Sequence, residues 1–201
     1  MTLAATNSHL LSAASMGFTD DVLTLLERGA EVSFRGEEGE TALHLAAQQG
    51  HVDTARVLQQ WGAAVDASTN EGVTALMLAA GSGFPAMVRL LLQAGAKASA
   101  RTKGGRTALM FAAETEETDS IHSLLAWDAD INAQDENGST ALMAAAQAGY
   151  AEIVKLLLDR GANDEPADSE GDTAAEWAAR AGNTDVCHLI ELVQQRKRAV
   201  G

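Results

Sequence analysis

The chain has 201 residues, with 14 Lys and Arg against 28 Asp and Glu, so its formal charge is −14 at pH 7. That balance repels phosphate backbones and anionic headgroups alike, which excludes nucleic acid and membrane surfaces as main partners. A hydrophobic content of 46% is enough to bury a core, and an aromatic content of only 4% beside abundant Ala, Leu and Gly suits closely stacked helices.

The opening segment, MTLAATNSHLLSAASMG, has no positive n-region and no long apolar stretch, and nowhere do about 18 uninterrupted apolar residues occur, so neither an export signal nor a membrane span is expected. HLLSAASMG (9–17) and DDVLTLLERGAEV (20–32) read as a helical pair with no hairpin in front of it. Five strings then follow: GETALHLAA (39–47), GVTALMLAA (72–80), GRTALMFAA (105–113), GSTALMAAA (138–146) and GDTAAEWAA (171–179). They start 33 residues apart, with Thr41, Thr74, Thr107, Thr140 and Thr173 in register, and one further period back from Thr41 lies Ser8. A fixed period of this length determines architecture before any single motif does.

Each unit reads as helix, turn, helix. The threonine hydroxyl is placed to cap the first helix. Gly50, Gly83 and Gly149 end that helix, because glycine enters the left-handed conformation at no steric cost. The second helix carries apolar residues at helical spacing, for example Ile153, Val154, Leu157 and Leu158. It closes at Gly29-Ala30, Gly62-Ala63, Gly95-Ala96 and Gly161-Ala162, with Asp128-Ala129 in the one irregular copy. Pro85 suits a first helical position, Pro166 lies in a linker, and the polar stretches such as Lys97 to Arg106 suit protruding hairpins.

This pattern resembles the ankyrin repeat, over essentially the whole chain. The resemblance implies an all-α solenoid of L-shaped units whose hairpin tips and first helices line a concave face. The approximate repeats are 3–35, 36–68, 69–101, 102–134, 135–167 and 168–195, followed by a short basic tail at 196–201 that contains Arg196, Lys197 and Arg198. Ala42, Ala75, Ala108, Ala141 and Ala174 stand where the family motif has proline, and Met77, Met110 and Met143 stand where it has the histidine that His44 retains. In the family that histidine bridges repeats; the methionines are expected to pack in the core.

No catalytic constellation is visible, and no catalytic residue, cofactor or metal is expected. GSGFP (81–85) lacks the Lys-Ser/Thr of a phosphate loop and falls at an inter-helix turn. His9, His44, His51, His122 and His188 are dispersed, and His122 and His188 lie two repeats apart. Cys187 aligns with Val88, Ile121 and Val154 and is expected to be buried and inert; a single cysteine fits a reducing compartment, with the cytoplasm as the default. Trp177 aligns with Leu45, Leu78 and Phe111 and is expected to fill the last repeat's core.

The candidate partner-binding residues fall in three groups. Arg101, Lys103 and Arg106 surround the Gly104-Gly105 turn and make a basic fingertip on an acidic chain, able to anchor an acidic segment or simply to be solvated. Gln48, Gln49, Ser82, Glu114 and Thr115 occupy the positions after Ala-Ala that the resemblance assigns to recognition. Trp61 and Trp127 precede the second-helix terminus, where they serve either as interface anchors or as packing against the next repeat.

The fourth unit departs most from the pattern. Its turn, Glu114 to Asp119, has no glycine, Ser120 and Ser123 replace apolar residues, and Asp128 replaces glycine, so a locally weaker unit is expected. Acidic residues gather in the second hairpin (Glu37, Glu38, Glu40) and the sixth (Asp164, Glu165, Asp168, Glu170, Asp172), which divides the concave face into sections of opposite charge.

The leading expectation is a non-enzymatic protein-binding module, an adaptor or regulator working as a monomer with a protein partner. An enzyme or small-molecule binder with a site grafted onto the solenoid, or a subunit of a larger complex, is the alternative. Polar Ser8, Ser12 and Ser15 at one end and Glu191 at the other lead to the expectation of a complete, independently soluble protein.

Overall fold

A computed structural model describes the backbone of residues 3–200 and the side chains of residues 3–196. The described residues form six antiparallel helix pairs: α1 (Leu3–Met16) with α2 (Thr19–Glu27), α3 (Ala42–Gln48) with α4 (Val52–Gln60), α5 (Ala75–Gly81) with α6 (Pro85–Gln93), α7 (Ala108–Ala113) with α8 (Thr118–Ala126), α9 (Ala141–Ala148) with α10 (Ala151–Asp159), and α11 (Ala174–Ala181) with α12 (Thr184–Val200). Most of these helices have six to nine residues. Isolated helices below roughly 12 residues are marginal in water, so their stability comes from stacking on neighbours.

That stacking rests on alanine. Ala46, Ala79, Ala112, Ala145 and Ala178 are fully buried, and with no side chain beyond Cβ they let the first helices approach closely. The odd-numbered helices form one row and the even-numbered helices a second, more loosely packed row; α8 and α10 scarcely touch. A stack that is tighter on one row curves toward it, so the first helices lie on the concave side.

The repeated glycines keep successive units in register. Gly50 has φ +73°, and a Cβ built there would fall 2.7 Å from the Phe84 ring, so the turn of one repeat is seated against the turn of the repeat before. His51 and Asn183 take the same place at other junctions, donating hydrogen bonds to the carbonyls of Ser15 (3.1 Å) and Ala146 (3.0 Å). At the fourth repeat this place is held by Glu117, and Gly83 in the preceding turn has nothing within 4 Å of its Cβ direction.

The hairpins are built by their own first residues. Thr69, Thr102, Asp135 and Asp168 accept hydrogen bonds from backbone N–H groups four residues on, at 3.2, 3.1, 2.9 and 2.9 Å. Successive hairpins are then joined: the N–H groups of Asn70, Lys103, Glu136 and Ser169 donate to the carbonyls of Glu38, Glu71, Gly104 and Asn137, at 2.8 to 3.0 Å. Only isolated bridges, Ser68 with Thr74 and Arg101 with Thr107, are seen within them.

Several expectations change. α1 spans Leu3–Met16 and so starts before the 9–17 string, with Ser8 inside the helix and its hydroxyl donating to the Ala4 carbonyl. α12 continues through Val200, so the 195/196 boundary and the basic tail fall within a helix and not after one; the side chains of Lys197 and Arg198 lie outside the described residues.

The threonine caps diverge. Thr74 and Thr140 accept from the N–H groups of Met77 (3.3 Å) and Met143 (3.2 Å), whereas at Thr173 the backbone N–H donates to the Glu176 carboxylate at 2.6 Å. At Thr107 the Met110 N–H goes to the Thr107 carbonyl, and the buried hydroxyl has no partner.

The fourth repeat is also irregular at Asp128, which has φ 59° and is the one non-glycine with positive φ among the described residues. In the same repeat the fully buried Ser120 hydroxyl lacks a partner. Both are costs that the neighbouring repeats do not carry.

Candidate partner-binding surface

In each first helix the residues after the capping threonine turn inward, and the exposed face is formed by positions spaced i, i+3, i+4. Leu45, Gln48 and Gln49 show the pattern, with Leu45 half-buried and both glutamines exposed. Repeating it every 33 residues lays a stripe of half-buried side chains along the concave face: Leu45, Leu78, Phe111, Ala144 and Trp177. Beside the stripe stand the exposed Gln48, Gln49, Ser82 and Glu114. Thr115 is half-buried, its hydroxyl donating to the Ala112 carbonyl at 2.8 Å.

Trp177 packs against the core as expected but is only half-buried, its remaining surface facing the inner stripe. Its indole N–H donates to the Asp168 carboxylate at 2.8 Å, tying the last first-row helix to the sixth hairpin. The alignment with Leu45, Leu78 and Phe111 was the signal that marks it, because those residues share one helix face with the exposed glutamines.

The structure brings Arg101, Lys103 and Arg106 to one hairpin, and each is already engaged there. The Arg101 guanidinium donates to the Gly105 carbonyl at 3.0 Å and to the Gln134 carbonyl of the next hairpin at 2.7 Å. Arg35, two repeats earlier, reaches the Ser68 carbonyl in the same manner. Lys103 is mostly exposed, with its ammonium 3.8 Å from the Glu71 carboxylate. Arg106 pairs with Glu114 and covers the Phe111 ring, its guanidinium carbon 4.2 Å from the centroid. The fingertip is thus a set of struts and ion pairs more than an open anion socket.

Trp61 and Trp127 are 42% and 49% exposed, and they cap the C-termini of α4 and α8. Those helices belong to the second row, so the two indoles do not join the inner face. Cys187 is half-buried where Val88, Ile121 and Val154 are fully buried, because among the described residues no further repeat covers that side of α12. Its thiol lies 3.4 Å from the Ala175 carbonyl.

The sixth hairpin is the most heavily charged part of the face. Asp168 is held below the usual carboxylate range, first by the Asp172 backbone N–H and then by the Trp177 indole among other donors. Glu176 is lowered by the backbone and hydroxyl of Thr173. Arg180 is raised by its hydrogen bond to Glu170 (3.1 Å) and by Asp172, with which it also pairs. These groups keep their charges across the physiological range.

The family histidine behaves differently. The His44 Nδ1 accepts the Thr41 backbone N–H at 3.1 Å, which leaves Nε2 protonated to donate to the Val73 carbonyl of the next repeat at 3.1 Å. Burial lowers its pKa below 6.5, against a smaller opposing contribution from Val73. Met77, Met110 and Met143, its equivalents, are buried in the core.

Among the described residues no group of three or more His, Cys, Asp or Glu side chains is placed to share a metal ion, and no helix is long and apolar enough to cross a membrane.

The family model for ankyrin repeats, in three copies, matches residues 10–102, 62–135 and 109–196. No curated protein matches the chain. Ankyrin repeats are generally protein–protein interaction modules and are typically not enzymes. A 33-residue period, stacked helix pairs with projecting hairpins and a matching family model together show that the chain belongs to the ankyrin-repeat family.

Proposed function

We propose that this protein is a non-enzymatic adaptor or regulator that works as a monomer in the cytoplasm and holds a protein partner on its concave face and hairpin tips. The observation that carries this reading is the continuous hydrogen-bonded ladder joining hairpins two to six beside the half-buried Leu45-to-Trp177 stripe. A surface fixed before the encounter pays little ordering entropy on binding, and the variable side chains along it supply specificity. Gln48, Gln49, Ser82, Glu114 and Thr115 lie on this face, and Arg101, Lys103 and Arg106 rim it. Trp61 and Trp127, which are exposed and cap second-row helices, form a separate candidate surface.

The test is cross-linking capture from native lysate with three proteins: the wild type, an inner-face Gln48→Arg/Ser82→Arg/Gln147→Arg variant, and a Trp61→Ala/Trp127→Ala variant, each checked for fold by circular dichroism. One specific protein retained by the tryptophan variant and lost from the inner-face variant is the expected result. The opposite pattern overturns the assignment of the face.

A further inference from the structure

The inner stripe is uneven, and its unevenness has a charge pattern around it. Phe111 leans back over the preceding repeat: a Cβ added at Gly81 would sit 3.2 Å from its ring. The next position in the stripe is Ala144, and the one after is Trp177. Between Phe111, whose ring carries the Arg106 guanidinium, and Trp177 two repeats on, the stripe therefore drops to a single methyl group. Helices pack roughly 8–10 Å apart, so the rings are separated by about 16–20 Å along the face. Beside Trp177 a cleft of about 230 Å³ opens, lined by Gln147, Asp168, Glu170, Trp177, Arg180 and Ala181.

The charge at this end is negative. Asp168 and Glu170 line the cleft with Trp177, and Asp172 and Glu176 lie in the same hairpin and helix; the nearby cation Arg180 pairs with Glu170 and Asp172, which leaves this end net negative, and Glu136 is exposed on the adjacent hairpin. On the hairpin side of the face the positive charge gathers at Arg101, Lys103 and Arg106, where it is engaged with Glu71, Glu114 and backbone carbonyls.

We propose that the partner presents a cationic segment with an apolar anchor: the anchor sits over Ala144 between Phe111 and Trp177, and flanking Lys or Arg side chains meet the carboxylates of the fifth and sixth hairpins. The inference rests on the reading that the concave face binds protein, and it reverses the acidic partner that a basic fingertip alone would select. A cation beside Trp177 gains from the face of the indole as well as from Asp168 and Glu170.

The probe is a labelled synthetic peptide of about 16 residues that alternates leucine and lysine faces; as a helix it spans about 24 Å, enough to cross the stretch from Phe111 to Trp177. Two further peptides carry glutamate in place of lysine and serine in place of leucine. Fluorescence anisotropy is read for the full chain and for Ala144→Gln, which fills the step without changing charge, and for Trp177→Leu. Two charge-matched pairs complete the set: Glu136→Gln/Glu170→Gln on the inner face and Glu152→Gln/Asp159→Asn on the second row.

The expected result is that the leucine–lysine peptide alone binds, that Ala144→Gln and Trp177→Leu each weaken it about tenfold, and that the inner pair weakens it more than the outer pair. Equal loss from the two charge-matched pairs, or no loss with Ala144→Gln, overturns the proposal in favour of nonspecific attraction to an acidic protein. A glutamate peptide that binds and is displaced by Ala144→Gln overturns the cationic assignment while leaving the concave face as a protein-binding surface. Binding by neither leucine peptide overturns the proposal, and the inner-face capture experiment then decides separately whether the face binds protein at all.

Discussion

Ser120 offers a direct way to weigh the weakness of the fourth repeat. Its side chain is fully buried in α8, where Met87 and Ile153 stand in the neighbouring repeats, and its hydroxyl has no hydrogen-bond partner. A buried unpaired hydroxyl costs about 1–3 kcal/mol, and alanine in a helix is favoured over serine by roughly 0.5 kcal/mol. Removing one oxygen leaves a small void that takes back a few tenths, so Ser120→Ala should stabilise the repeat by about 1.5 kcal/mol, or roughly tenfold in its opening equilibrium.

Ser123 in the same helix is the control. It is half-buried and its hydroxyl donates to the Asp119 carbonyl at 2.8 Å. Ser123→Ala gains the same propensity and loses a bond worth about as much, so its net effect stays within roughly 0.5 kcal/mol. Because repeat arrays open in parts, the assay is native-state hydrogen exchange of the α8 amides, with urea unfolding as the global measure. If Ser120→Ala is no more protective than Ser123→Ala, the hydroxyl is satisfied and the buried serine is not the source of weakness.

Further outcomes follow from other irregular positions. Gly50→Ala and Gly182→Ala both force a side chain to positive φ, but only at Gly50 would the Cβ meet a ring, so it should lose at least about 1 kcal/mol more in urea unfolding. Asp128 at φ 59° predicts that Asp128→Ala is less stable than Asp128→Gly by about 1 kcal/mol in the same measurement.

His44 predicts a pH dependence. Its folded pKa is lowered, so the unfolded chain binds the proton first: the stability it confers is full above about 6.5 and is lost as pH falls from there through the folded value. His44→Met, the residue of the next three repeats, should flatten that part of the profile when urea midpoints are compared across it, and an unchanged slope would refute the assignment.

The repeat architecture was legible in the residues because each unit repeats the same local problem. A threonine, an Ala-Leu helix start, a left-handed glycine and a closing Gly-Ala recur every 33 residues, and these act over a few bonds. Linear spacing also located the core methionines and the irregular fourth repeat, while Gln48 and Gln49 came from the resemblance to the family. What it did not reveal was which of two exposed-looking groups is already occupied, since that depends on contacts between residues one repeat apart.

Arg101, Lys103 and Arg106 read as a free basic fingertip until the stack brings Gln134, Glu71 and Glu114 to them. Trp177 reads as core from its alignment, and the stack leaves it packed against the core yet partly open on the inner face. Helix periodicity and turn chemistry are properties of neighbouring residues and survive in any context. Exposure, ion pairing and the sign of a surface arise only when the units stack, because only then does a side chain acquire a neighbour 33 residues away.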